Sequence, residues 1–288
     1  MDDILDRDSC KYLEKYAQWE TIKDRDGVTI SKYCLLPSQP PCTGDDLVVI
    51  KKLLDSPEAR TEAINNLHIR KLIEEGLLDA RHFLPARQVF VCKNYVYIVT
   101  DFIVGMSFSD YVKKYPDKDL TNLFKQIAIS VKSLEDNRIS HRDMHYDNIL
   151  IVCGKNGCSP DFMIFDFGAS YIDGITPFVV NHNINFIQHL GNIPGLDLFT
   201  LLTSTTQDLL RAVYQDENFL DNILPDMPFE EQVELIEPIF PKLAELIRKL
   251  IVPNSRLTEL IEATSFNDAP QEIEMLKNYT AKKVLSKL

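Results

Sequence analysis

One stretch constrains the fold of this chain more than any other. It is His141-Arg142-Asp143-Met144-His145-Tyr146-Asp147-Asn148, which runs into Ile149-Leu150-Ile151-Val152, and later Phe162-Met163-Ile164-Phe165 leading into Asp166-Phe167-Gly168. The two apolar runs are short and bounded by turn formers, which predicts two buried strands. Between them, Cys153-Gly154-Lys155-Asn156-Gly157-Cys158-Ser159-Pro160 is rich in turn residues and is expected to close a hairpin. Asp143 and Asp166 should then flank that hairpin and face one cleft. Two carboxylates and an amide so arranged suit the holding of magnesium and a nucleoside triphosphate beside an acceptor hydroxyl. Phosphoryl transfer asks little covalent chemistry of a protein; it asks for positioning, charge neutralisation and an oriented nucleophile. In such chemistry Asp143 accepts or orients the acceptor's proton, Asn148 ligates one metal ion, and Asp166 bridges metal to the phosphates. Ordinary loop residues that cap backbone groups would leave this order on two strand ends unexplained.

These motifs resemble those of the protein-kinase superfamily: a His-Arg-Asp loop with a following asparagine, then Asp-Phe-Gly after a strand. The resemblance covers most of the chain. It implies an α+β, bilobal protein-kinase-like fold forming a single domain over 1–288. Its parts would be a small β-rich N-lobe (about 1–100) with one main helix, a hinge (about 101–105) and a larger, mainly helical C-lobe (about 106–288). It further implies ATP and Mg2+ as cofactors and a protein substrate, with serine or threonine as acceptor. A compact, degenerate core of this kind is similar to the kinases of large DNA viruses.

The first hundred residues read mainly as strands around one helix. Trp19 to Lys23 and Val28 to Leu35 predict two strands joined by Asp24-Arg25-Asp26-Gly27, and Pro37-Ser38-Gln39-Pro40-Pro41 predicts an exposed loop. Leu47-Val48-Val49-Ile50-Lys51 reads as a buried strand ending in a lysine. By resemblance Lys51 contacts the nucleotide's α- and β-phosphates, and period-two alternation allows only one of Lys51 and Lys52 to face the same side. Pro57 to Glu75 is rich in helix formers, with Gly76 placed to end the helix. The family needs a glutamate there to pair with the lysine; Glu62 is the choice, with Glu58, Glu74 and Glu75 as rivals. Val89 to Cys92 and Tyr95 to Val99 predict a hairpin around Lys93-Asn94. The resemblance then makes Thr100-Asp101-Phe102-Ile103-Val104-Gly105 the hinge, with Thr100 behind the adenine and the backbone of Asp101 and Ile103 bonding the base.

Leu120, Leu123, Phe124, Ile127, Val131 and Leu134 recur at helical spacing and predict a core helix that supports the loop beginning after Arg138-Ile139-Ser140. Ala169 to Pro194 is expected to hold an activation loop, where Ser170, Tyr171 and Thr176 are candidate phosphorylation sites. Asp197 opens a helix either as its cap or, by resemblance, as a brace for the catalytic-loop backbone. Leu243, Leu246, Ile247, Leu250 and Ile251 form an apolar stripe after Pro241.

The pattern departs from the family at four places. Only Gly27 remains of a glycine-rich phosphate loop, and Asp24 and Asp26 beside it would repel a nucleotide. His145 stands where many serine/threonine kinases have lysine, as in haspin-like kinases and in aminoglycoside and choline phosphotransferases; it either bonds near the phosphate or caps the loop. No Ala-Pro-Glu sequence ends the activation segment. Arg142 is retained, and this favours a protein substrate over the alternatives, a small-molecule phosphotransferase or a pseudokinase that only binds partners.

Composition narrows the partners. A net charge of −12 argues against a nucleic-acid coat, and no apolar run reaches the length of a membrane span. The N-terminal Met1-Asp2-Asp3 does not read as a targeting signal, so a cytoplasmic or nuclear location is expected. The six cysteines are scattered, so reduced thiols are expected rather than a disulfide framework, and Cys153 and Cys158 lack the companions of a zinc site.

Overall fold

Alternation along Leu47–Leu54 sets the first part of the fold. In the computed structural model, which describes residues 9–25, 27–38, 40–154, 157–176, 192–214, 216, 219–220, 224, 227–251 and 274–288, the chain divides into two units. The first comprises the described residues up to Val104, Phe165–Gly168 and the described part of Gly174–Val179. Its sheet is antiparallel, with β1 (Tyr16–Arg25), β2 (Val28–Leu35), β3 (Leu47–Leu54), β4 (Gln88–Cys92) and β5 (Tyr95–Asp101) in the order β1-β2-β3-β5-β4. Helix α1 (Pro57–Glu74) lies between β3 and β4 in sequence. Ser56 caps it by accepting from the Ala59 amide, Pro57 occupies its first turn, and Gly76 ends it at φ +74°.

Side chains alternate across this sheet. Leu53, Val96 and Ile98 pack with Ala59 and Ala63 of α1. Val48, Ile50, Phe90, Tyr97 and Val99 form the opposite face, covered by the short 3-10 helix Cys10–Lys15 through Cys10, Tyr12 and Leu13. Lys51 therefore shares the α1 face, whereas Lys52 lies on the other side with its ammonium 3.9 Å from the centre of the Tyr95 ring.

The cysteines correct the expectation of reduced thiols. Cys10 is bonded to Cys92 and Cys34 to Cys42, and Cys153 is also disulfide-bonded. The first bridge fastens the N-terminal segment to β4, which the Ser9 amide also meets at the Val91 carbonyl (2.7 Å). Its partners lie 82 residues apart, so only the folded sheet reveals the pair.

The second unit comprises Gly105–Ile164, Ala169–Asp173 and the described part of Val180–Leu288. Strands β6 (Gly105–Ser107), β8 (Ile149–Gly154) and β9 (Gly157–Ile164) form one sheet in the order β6-β8-β9, and β7 (Ile139–Ser140) pairs with β10 (Tyr171–Ile172). The expected hairpin is present, but its strands are longer than the apolar runs. Cys153 pairs with Cys158 and Gly154 with Gly157, so cross-strand pairing overrides turn composition. Lys155 and Asn156 lie outside the described residues.

The helices here are α2 (Phe108–Lys114), α3 (Thr121–Asp136), α4 (Leu196–Val213), α5 (Phe229–Ile236), α6 (Pro241–Leu250) and α7 (Ala281–Lys287). The apolar stripe of α3 is buried from Leu123 to Leu134, and Leu120 precedes the helix as its cap residue. Gly195, before α4, has φ +89°, and a β-carbon there would lie 1.9 Å from the Leu276 carbonyl oxygen, so no other residue fits. Among the described residues, no helix is long and apolar enough to cross a membrane.

Candidate active site

In the first unit three charged side chains converge. Lys51 Nζ lies 2.7 Å from Glu62 Oε1, and 3.2 and 3.4 Å from the two carboxylate oxygens of Asp166. The strand places Lys51 on the α1 face, and Glu62 is on the buried side of that helix. The rivals for this role lie elsewhere: Glu74 pairs with Arg70, Glu75 with Lys71, and Glu58 lines the pocket described below. Burial by itself pushes the Lys51 ammonium down, but Glu62 and then Asp166 outweigh it, so its pKa is raised. Burial also raises Glu62, opposed by Lys51 and reinforced by Asp166. One ammonium thus faces two carboxylates, a local surplus of negative charge.

Asp166 has φ +62°, a conformation that non-glycine residues hold only where the surroundings impose it. Gly168 follows with little space: a β-carbon there would meet Glu62 Oε2 at 3.1 Å and Asp166 Oδ1 at 3.2 Å. A pocket of about 320 Å³ opens beside these groups, lined by Gly27, Val28, Leu53, Ala59, Glu62 and Gly168 among others. Gly27 sits after β1 with φ +78°, and Asp24 accepts from the Thr29 hydroxyl (3.0 Å); Asp26 lies outside the described residues. Thr100 pairs with Val49, and Lys51 with Ile98, so Thr100 and Lys51 project from the same face of the sheet. β5 continues through Thr100 and Asp101, where the sequence pointed to a hinge, because both still pair with β3. The Asp101 side chain binds Arg87 (3.1 Å), and Ile103 is half-buried beyond the strand end.

In the second unit the loop between β7 and β8 is pinned by its own residues. Asn148 Nδ2 donates to the Asp143 carbonyl (2.7 Å) and to Asp143 Oδ2 (3.1 Å). The amide nitrogen is thereby used, and Oδ1 is the Asn148 atom whose chemistry suits a cation. His145 Nδ1 accepts from the Asp147 amide (3.2 Å), so it does cap the loop, while its Nε2 lies 3.7 Å from Asp143 Oδ2. Asp197 acts as the brace and not as a helix cap, being inside α4 and fully enclosed. Its Oδ2 accepts from the His141 amide (2.8 Å) and its Oδ1 from the Arg142 amide (2.7 Å). Burial raises its pKa against the pull of His141 and those amides.

Arg142, at φ +65°, stacks over the Tyr171 ring, 4.6 Å from its centre. Burial lowers its pKa to about 10. Of the candidate phosphorylation sites, Ser170 is buried with its hydroxyl on the His141 carbonyl, Tyr171 lies under Arg142, and Thr176 donates to Asn65. Residues 177–191 of the expected activation segment lie outside the described residues. Sequence reasoning passed over Asn65, whose Nδ2 donates to the Phe167 carbonyl (3.1 Å); an asparagine at a core-facing helical position was the available signal.

The protein kinase domain family model matches residues 43–174, the stretch that holds Lys51, Glu62, Asp143, Asn148 and Asp166. Among curated relatives, protein kinase kin1 of Schizosaccharomyces pombe is 31% identical over 105 residues, 35% of this chain and 11% of that protein. The probable serine/threonine-protein kinase fhkD of Dictyostelium discoideum is 35% identical over 83 residues, 28% of this chain and 11% of that protein. Calcium-dependent protein kinase 4 of Plasmodium falciparum is 26% identical over 163 residues, 56% of this chain and 28% of that protein. The match therefore spans less than a third of each relative's own length. The match to the protein kinase domain family and the similarity to several protein kinases, on a strand-rich N-terminal region and a helical C-terminal region, support membership of the protein kinase superfamily.

Proposed function

We propose that this chain is an active protein kinase, a single domain over 1–288 that moves the γ-phosphate of ATP to a serine or threonine hydroxyl of a protein. The observation that carries this reading is Lys51 Nζ held between Glu62 and Asp166. A lysine so fastened is preorganised to meet phosphate oxygens without reorganising when they arrive. Asp166 offers a carboxylate and Asn148 an amide oxygen, both donor types that suit magnesium, and the surplus negative charge around Lys51 favours a divalent cation. When bound, magnesium supplies neutralisation of the charge that develops on the transferring group.

The chain's own residues do the rest. Lys51 orients the α- and β-phosphates and Glu62 holds the amine in place. The Gly27 backbone lies on the phosphate side, Thr100 stands behind the adenine, and the backbone of Asp101 and Ile103 bonds the base. Asp143 orients the acceptor hydroxyl and takes its proton. The Asn148 amide keeps the Asp143 carboxylate turned to that task, and His145 Nε2 adds a donor beside it. Kinase relatives that include a serine/threonine-protein kinase support a protein acceptor.

The test is transfer of labelled γ-phosphate from Mg-ATP to a mixed basic-protein substrate by wild type and by Asp143→Asn. Label that appears with wild type and is lost in the variant is expected. Label on amino sugars or choline and none on protein would overturn the acceptor, and no transfer to any acceptor would overturn the activity.

A further inference from the structure

We propose that Asn65 is a positioning residue for Asp166. It would hold the Asp-Phe-Gly segment to the same helix that holds Lys51 through Glu62; this inference rests on the phosphotransfer reading above. Asparagine is a poor helix former, and a buried amide is unfavourable unless its hydrogen bonds are made. Helix α1 nevertheless carries two in succession, Asn65 wholly buried and Asn66 nearly so.

Their partners separate their roles. Asn66 donates to the Glu62 carbonyl of its own helix (3.0 Å) and accepts from the Ala86 amide (3.1 Å), which ties α1 to the segment before β4. Asn65 sends both ends of its amide to segments distant in sequence. Nδ2 donates to the Phe167 carbonyl (3.1 Å), and Oδ1 accepts from the Thr176 hydroxyl (2.9 Å). The donor and acceptor ends are both matched, so the orientation of the amide is determined by its surroundings.

Glu62 and Asn65 lie one helical turn apart and share a face. The helix thus reaches two successive residues of the motif: Asp166 through Glu62 and Lys51, and Phe167 directly. The Phe167 ring is packed 6.5 Å from Phe83. The hydrogen bond from Asn65 holds the Phe167 carbonyl. It fixes the peptide that leads into Gly168, whose amide faces Asp166 Oδ1 at 3.4 Å. Asp166 itself has φ +62°, a conformation kept only when the neighbouring backbone is held. A leucine at this position would fill similar space and remove this hydrogen bond.

The experiment compares wild type, Asn65→Leu and Thr176→Val, the last removing only the hydroxyl bond. Amide exchange is followed in peptides spanning 165–176 of the nucleotide-free protein. Magnesium half-saturation is measured with a fluorescent ATP analogue, and kcat and KM are measured with the protein substrate. In Asn65→Leu, which loses the bonds to both the Phe167 carbonyl and the Thr176 hydroxyl, the first of these losses should speed exchange at 165–168 about tenfold. The magnesium half-saturation should rise and kcat fall by about tenfold, while KM for ATP at saturating magnesium changes less than about threefold. Thr176→Val should shift the same readouts in the same direction by less, and it carries the test if Asn65→Leu does not fold. A folded Asn65→Leu protein with unchanged exchange and magnesium dependence would overturn the proposal. So would faster exchange with unchanged magnesium dependence, which would make Asn65 structural only. If wild type binds no magnesium nucleotide, the phosphotransfer reading fails instead, and exchange alone then decides whether Asn65 holds the Phe167 carbonyl.

Discussion

Replacing Glu135 by glutamine should remove a pH dependence of stability that the wild-type chain carries between about pH 4.5 and 7. Glu135 lies on α3 and accepts from two segments far apart in sequence, the Gly195 amide before α4 (3.3 Å) and the Ala281 amide at the start of α7 (3.3 and 3.2 Å). Burial raises its pKa from 4.5 to about 7, against the pull of the Ala281 and Gly195 amides and with help from the charges of Asp197 and Asp136. A carboxyl with a raised folded pKa holds its proton more tightly in the native state than in the unfolded chain. Its contribution is therefore complete below the unfolded value, declines as pH rises, and is gone once pH passes the folded value. At about 1.4 kcal/mol per pH unit the gap sets a ceiling of roughly 3.4 kcal/mol. The carboxyl is partly open to solvent, and screening reduces this to about 1–2 kcal/mol. Glutamine offers the same acceptor oxygen and no titration. Urea unfolding of both proteins from pH 5 to 8 isolates the effect, since other titrating groups cancel in the difference. Near pH 5 the two should be about equally stable. At pH 8 the variant should be the more stable by about 1–2 kcal/mol, or about 2–6 °C in Tm. A difference that stays constant across the range, or a variant that is worse at pH 8, would refute the reasoning.

Two further perturbations probe other parts of the molecule. Asp197→Asn keeps one acceptor but turns an NH2 group toward the second of the two catalytic-loop amides. It should lose most of kcat and about 2–4 kcal/mol of stability; a variant that turns over normally would show that the brace is dispensable. Cys10→Ser opens the bridge to Cys92, which closes a loop of 82 residues, and should lower unfolding stability by about 2–4 kcal/mol. Dithiothreitol, which opens the remaining bridges in both proteins as well, should abolish the difference between them, and equal stability of the two without reductant would count against the bridge.

What the sequence could and could not reveal divides along a physical line. Residues whose place depends on local periodicity were readable. Alternation along β3 puts Lys51 and Lys52 on opposite faces, and the hairpin after the His-Arg-Asp loop pairs Ile149 with Ile164. The glutamate that meets Lys51 was half readable. Ala59, Ala63 and Ile69 mark the buried side of α1 and Glu62 falls among them, yet polarity alone ranks Glu58, Glu74 and Glu75 beside it. The local sequence does not show the role of Asn65, because its partners, Phe167 and Thr176, lie on a segment that meets the helix only after folding. The cysteines failed for the same reason more sharply, since six of them allow about fifteen pairings and the sheet alone selects among these. The hairpin turn was drawn too long because glycine and proline predict where a strand ends only when no partner strand extends it; here Cys153 and Gly154 find partners across the ladder. Asn65 and Cys10 are polar or small, and each has its purpose defined by a group far away in the chain. Asn65 reaches the Asp-Phe-Gly segment from the same helix as the glutamate one turn before it, through a carbonyl that only the fold brings near.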